Sequence, residues 1–125
     1  MTLRFDDLFS LSWEEMNCGQ AVAEGLRRLG MMEAADHIPT DQETGARLIA
    51  AVVGEGGPWA LVGEEGCAAR RVGDVISFET DGGWHVSVVV DGTYVLSSSK
   101  GRGPYLIRRA RLRGVTGVYR WEGAA

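Results

Sequence analysis

Residues 73–99 read GDVISFETDGGWHVSVVVDGTYVLSSS, and this stretch decides the fold class. β-branched and aromatic residues gather there into short runs, and glycine-rich turns separate the runs. The pattern continues toward the C-terminus and predicts strands over 75–79, 84–90, 93–97, about 105–108 and 115–121. Because the connections are short, consecutive strands are expected to pair as an antiparallel meander.

The chain before residue 73 has a helical period instead. One helix stripe holds Cys18, Val22, Leu26 and Leu29, preceded by the N-cap candidate Asn17. A helical turn is predicted over 31–37, a longer helix over 40–53 after a capping-box pattern, and an apolar strand or turn over 59–62. Together these elements predict an α+β fold, with N-terminal helices packed on a C-terminal antiparallel sheet in a single domain, residues 1–125.

Composition limits the classes of partner. No apolar run approaches the ~18 residues that a membrane span requires, and residues 1–9 lack the basic start and apolar stretch of a secretory signal peptide. The formal net charge of −4 argues against nucleic acid and membrane partners. Four arginines near the C-terminus are a local exception, interpreted as charge that protects an exposed edge strand: Arg108, Arg109, Arg111 and Arg113.

The two cysteines differ in context. Cys18 and Cys67 lie 49 residues apart in a chain with two histidines, and this spacing matches no zinc pattern. We therefore expect no metal and no other cofactor. A reactive thiol in a reducing compartment explains Cys18 better than a disulfide with Cys67, which is interpreted as a loop or core thiol.

Cys18 and His85 are the candidate nucleophile and base. A thiol at a helix N-terminus lies near unsatisfied N–H groups and the positive end of the helix dipole, and both favour the thiolate. His85 is expected on a strand with apolar neighbours, whereas His37 lies in a helical linker, so His85 is the better base. The alternative is that Cys18 is a small core residue and His85 a half-buried strand residue.

Four segments carry a family resemblance. The segments are Asn17-Cys18, residues 73–78, residues 85–90 and residues 91–96. In this order they resemble the helix start, the Gly-Asp strand start, the His-led strand and the return strand of the NlpC/P60 papain-like cysteine peptidases. The short chain and the lead-in at Trp13 resemble the small members found in phage tail modules and gene transfer agents.

The resemblance implies a papain-like fold and a cysteine peptidase or amidase that cleaves peptidoglycan stem peptides. Such a protein would reside in the virion tail, or in the cytoplasm of the producing bacterium, with other tail proteins as further partners. The third catalytic residue would be Ser97, or Ser98 if the hairpin turn has two residues. Asn17 and Gln20 are candidates for oxyanion support near the nucleophile.

A serine in the third position leaves two other functions open. A hydroxyl can accept the imidazole N–H hydrogen bond but supplies no charge to an imidazolium. A catalytically weak or inactive structural component of a tail tip is therefore one alternative. An intracellular bacterial cysteine hydrolase or acyltransferase is the other.

Overall fold

The computed structural model describes residues 4–38, 58–63, 71–80 and 83–123. These residues form two α-helices and six strands: α1 Cys18–Arg28, α2 Met32–Asp36, β1 Trp59–Gly63, β2 Val75–Thr80, β3 Gly83–Val89, β4 Tyr94–Ser99, β5 Gly103–Arg108 and β6 Val115–Trp121. Two short 3₁₀ turns span Asp6–Leu8 and Arg109–Arg111. The predicted mixed α+β class is confirmed. The predicted helix over 40–53 and Cys67 lie outside the described residues.

All six strands belong to one antiparallel sheet, in the order β1-β6-β2-β3-β4-β5. The predicted antiparallel meander is confirmed from β2 to β5, whereas the expected pairing of β5 with the strand over 115–121 is wrong. β6 then returns to the other side of β2 and places β1 at one edge of the sheet, while β5 forms the other edge. Each predicted strand begins and ends within two residues of the observed one.

Helix α1 begins at Cys18 because a reciprocal capping box fixes its N-terminus. The Asn17 side-chain oxygen accepts a hydrogen bond from the Gln20 backbone N–H at 2.9 Å, and the Gln20 side-chain oxygen accepts one from the Asn17 N–H at 2.9 Å. The prediction of Asn17 as N-cap is confirmed. After α1, Gly30 adopts a positive φ of 82°, a conformation that glycine reaches without steric cost.

Two apolar layers cover the two faces of the sheet. We call the face that packs against α1 and α2 the helix face, and its sheet residues include Val75, Val86, Val88, Leu96 and Tyr119. The opposite side, the far face, carries a second cluster of Ile76, Phe78, Val89, Val95 and Val118, closed by Leu112 and Val115. Since side chains alternate along a strand, even-numbered and odd-numbered residues of β3 belong to different layers.

The start of β2 is fixed by a buried ion pair. Gly73 has φ of 93°, and the Asp74 carboxylate accepts a hydrogen bond from the Arg71 backbone N–H at 2.8 Å. The Arg120 guanidinium on β6 donates to the same carboxylate at 3.0 and 2.8 Å. Gly73 and Asp74 therefore have structural roles, as a sharp strand start and as a carboxylate that caps the turn.

None of the helices in the described ranges has the length and apolar character needed to cross a membrane.

Candidate functional site

Cys18 is the first residue of α1 and packs into the helix-face cluster. Its side chain is almost buried, with 9 % of its surface exposed, and the thiol is free. The neighbours in this layer are the apolar residues of α1 and of strands β3 and β4. The sequence thus predicted the position of the cysteine on its helix correctly, and tertiary packing then covers it.

Burial raises the pKa of the Cys18 thiol above its ordinary value. Backbone N–H groups of Gly19, Val86 and Cys18 itself act in the opposite direction, but their combined effect is smaller than that of desolvation. This net direction is the reverse of the sequence expectation, in which the helix N-terminus alone favoured the thiolate. At neutral pH the thiol is therefore protonated.

His85 lies on the far face of the sheet. The residue is paired with Phe78 across β2 and β3, and the two rings stack with centroids 5.5 Å apart and planes 23° apart. Phe78 belongs to the far-face cluster, whereas the next residue, Val86, belongs to the helix-face cluster with Cys18. Within the described ranges, no hydrogen bond joins the imidazole to the thiol. The structure does not bring the predicted nucleophile and base together.

Burial lowers the pKa of His85, and this makes its contribution to stability depend on pH. Because the folded-state pKa lies below the unfolded value of about 6.5, the unfolded chain takes up the proton first as pH falls. We expect the stability contributed by neutral His85 to be complete above pH ~6.5 and to be lost as pH falls through the folded-state pKa. Urea unfolding of wild type and His85→Gln from about pH 7.5 to 5 measures this. The difference between the two proteins should shrink toward acid, and a constant difference would contradict the prediction.

Ser97 and Ser98 lie on opposite faces. The hairpin loop has three residues, 91–93, because the Val90 N–H donates to the Tyr94 carbonyl oxygen. β3 and β4 then pair at Val88 and Leu96. Strand alternation from Leu96 puts Ser97 on the far face, the face of His85. Its buried Oγ has no hydrogen-bond partner among the described residues.

Ser98 is the serine on the Cys18 side of the sheet. Its Oγ donates a hydrogen bond to the Met16 carbonyl oxygen at 2.6 Å, two residues before the cysteine. The hydroxyl thus tethers the chain that leads into α1. Ser97 therefore shares a face with the predicted base, and Ser98 shares one with the predicted nucleophile.

Asn17 and Gln20 are engaged in the capping box described above, which gives both residues a role in holding the helix start. Gln20 also lines an open groove of about 280 Å³ along the outer side of α1, together with Glu15, Met16, Glu24 and Arg27. This groove lies on the solvent side of the helix, away from the sheet layer that contains the thiol. The predicted oxyanion role is thus not supported by a contact between Gln20 and Cys18 in the described structure.

The segment before α1, residues 4–16, lies against the β4–β5 hairpin. The Leu11 carbonyl group packs on Gly103, and the Lys100 ammonium lies 5.2 Å from the Trp13 ring centroid. Ser12 and Glu15 form reciprocal side-chain to backbone hydrogen bonds that close a turn within this segment. We call residues 4–16 the N-terminal strap. Its position was not predicted from the sequence, because its contacts with the hairpin join residues that are about 90 positions apart.

The chemistry of the site is that of a buried, protonated thiol with peptide N–H groups beside it. Among the described residues, no group of three histidine, cysteine, aspartate or glutamate side chains is arranged to hold a metal ion. No family model matches the sequence, and no match was found among curated proteins or solved structures.

Proposed function

We propose that this chain is an NlpC/P60-like structural or assembly component of a phage-type tail that does not hydrolyse peptidoglycan. The observation that carries the proposal is the separation of Cys18 and His85 across the sheet, with the imidazole stacked on Phe78. A cysteine hydrolase needs a base within hydrogen-bond reach of its nucleophile. The raised pKa of the Cys18 thiol gives independent support, since the thiol rather than the thiolate is present at neutral pH.

The tail setting of the proposal is supported by sequence alone. Asn17-Cys18 and the segment from Gly73 to Ser99 resemble the superfamily, and the lead-in at Trp13 resembles its small phage members. A fold of this type can keep its helix-on-sheet core while its chemistry is lost, because the core depends on packing and the chemistry on a few side chains.

Thiol labelling tests the proposal directly. Iodoacetamide modification of Cys18, resolved from Cys67 by mass spectrometry, should follow a pKa above the free-thiol value of about 8.5. The rate in His85→Ala should match the wild-type rate within about twofold, since the ring does not contact the thiol. Cys67 in the same sample and Cys18 in urea provide the internal comparisons. A titration below the free-thiol value that disappears in His85→Ala would overturn the proposal.

A peptidase is the second candidate, and one observation favours it. The backbone N–H groups of Gly19, Val86 and Cys18 act to lower the pKa of the Cys18 thiol, and such donors favour negative charge on the sulfur. Release of soluble stem peptides from purified peptidoglycan by wild type, abolished in Cys18→Ser, would support the peptidase. Equal background release by the two proteins would support the structural role.

A further inference from the structure

Charge is segregated along this chain. Residues 92–121 contain seven of the thirteen basic residues and none of the seventeen acidic residues. All seventeen acidic residues and the other six basic residues therefore lie in the rest of the chain. The basic segment comprises β4 and β5 at one end of the sheet order, the following 3₁₀ turn, and β6, which lies between β1 and β2. The end formed by β4, β5 and the turn is thus basic although the protein as a whole is acidic.

The turn after β5 is held in place by the backbone and by two of its own arginines. The Arg109 N–H donates to the Thr93 carbonyl oxygen at 2.7 Å, and the Arg113 guanidinium donates to the carbonyl oxygens of Ala110 and Leu112 at 3.2 and 2.9 Å. Leu112 is buried in the far-face cluster. The turn is therefore preorganised. Arg108, Arg111 and Arg113 are exposed, and Arg113 is the one whose guanidinium is engaged with the backbone of the turn.

Arg108 and Arg111 differ from other arginines of the chain. Arg4, Arg28 and Arg120 each form an ion pair with an aspartate. Within the described ranges, Arg108 and Arg111 have no carboxylate within ion-pair distance. The nearby Asp91 side chain instead accepts the backbone N–H groups of residues 93 and 94. Two guanidinium groups are thus presented on a rigid turn with their donors available to a partner.

The outer side of α1 has the complementary chemistry. The groove of about 280 Å³ contains the carboxylates of Glu15 and Glu24, and Met16 supplies an apolar wall. A guanidinium can bind carboxylates while its aliphatic stem packs on the methionine. Arg27 also lines this groove, and Glu24 lies 3.4 Å from Arg28, so the groove is acidic but partly neutralised.

We propose that Arg108 and Arg111 of one copy of this chain bind the acidic outer side of α1 of a second copy. The donor and acceptor surfaces lie on different parts of the molecule, so the contact is head-to-tail and can continue into a ring or a stack. The second copy is favoured as occupant because this chain itself carries the excess of acidic residues that matches its basic segment. This inference deepens the proposed assembly role and rests on it for its biological setting.

Sedimentation and light scattering of the full chain test the contact. Wild type should exceed the monomer mass at about 50 mM NaCl and return to monomer at about 500 mM, because salt screens charges at the surface. Arg108→Glu/Arg111→Glu and Glu15→Lys/Glu24→Lys should each be monomeric at low salt. Far-UV circular dichroism and urea unfolding confirm that both variants are folded. Arg4→Ala is the control that should retain association, because Arg4 is exposed and belongs to neither surface.

Mixing the two charge-reversal variants separates this arrangement from others. The arginines of the second variant match the acidic groove of the first, and the reversed turn of the first matches the reversed groove of the second. Mixing the two monomeric variants should therefore restore association at low salt. Three results would overturn the proposal. They are a monomeric wild type at low salt, unchanged oligomers in both variants, and retention of monomeric wild type on a DNA oligonucleotide. Any of these results leaves the Cys18 labelling experiment as a separate test of the proposed function.

Discussion

Replacing Arg120 by methionine should lower the free energy of unfolding by about 3–5 kcal/mol. Asp74 is 1 % exposed, and the substitution leaves its carboxylate buried, with the Arg71 N–H still donating to it but without the guanidinium. A buried charge without its counterion costs more than the ion pair contributes when intact, because solvation is lost and nothing replaces it. The pair also joins the neighbouring strands β2 and β6 inside the sheet, so its loss weakens the sheet on which α1 packs.

Urea unfolding at pH 7 measures this effect against a matched exposed pair. Arg4 lies 3.5 Å from Asp6, and both side chains are largely exposed, so Arg4→Met should change stability by less than about 1 kcal/mol. Replacing Asp74 and Arg120 together by asparagine and methionine should cost less than Arg120→Met alone, since no buried charge remains. An Arg120→Met protein within about 1 kcal/mol of wild type would show that water reaches Asp74.

The strands and the first helix could be predicted because their signals are local. The capping box needs Asn17 and Gln20, three residues apart, and it fixed where α1 begins. The runs of β-branched residues between glycine-rich turns likewise located β2 to β6 within two residues. These features depend on near neighbours in the chain, so a single sequence contains them.

The side of the sheet on which His85 lies could not be predicted in the same way. Residues 85–90 read HVSVVV, and apolar side chains occur at both parities of this strand. Both faces of the sheet are covered by apolar layers, so alternation does not reveal which face receives α1. The face is fixed by tertiary packing, and with it the separation of His85 from Cys18.

The Asp74–Arg120 pair was missed for a different reason. The Gly73-Asp74 motif marked a special strand start, but nothing near Arg120 distinguishes it from the other arginines of the C-terminal segment. The two partners are 46 residues apart, and they meet because β6 returns beside β2. The same holds for the N-terminal strap, whose contacts with the β4–β5 hairpin follow from topology and leave no periodic signal.

Gly103→Ala should lower the free energy of unfolding by about 2–5 kcal/mol, as the sum of a backbone cost and a packing cost. Gly103 has φ of 80°, a left-handed conformation that costs an alanine roughly 1–2 kcal/mol. A β-carbon at this position would also collide with the Leu11 carbonyl group and approach the Ser12 carbonyl carbon. These are backbone atoms, so the collision can be relieved only by moving the N-terminal strap away from the hairpin.

Gly101→Ala is the matched control, because Gly101 has φ of 81° in the same hairpin and no atom lies within 4 Å of the place that its β-carbon would occupy. It should carry the backbone cost of about 1–2 kcal/mol and leave the strap in place. Since the strap is tethered to β4 by the Met16–Ser98 hydrogen bond beside Cys18, its displacement should also expose the thiol. If Gly103→Ala loses about 1.4 kcal/mol more stability than Gly101→Ala, the open state in which the strap has left the hairpin is about tenfold more populated. Iodoacetamide should then label Cys18 about tenfold faster in Gly103→Ala than in Gly101→Ala. Equal labelling rates in the two variants would mean that the strap does not control access to Cys18, and that the sheet and α1 alone bury it.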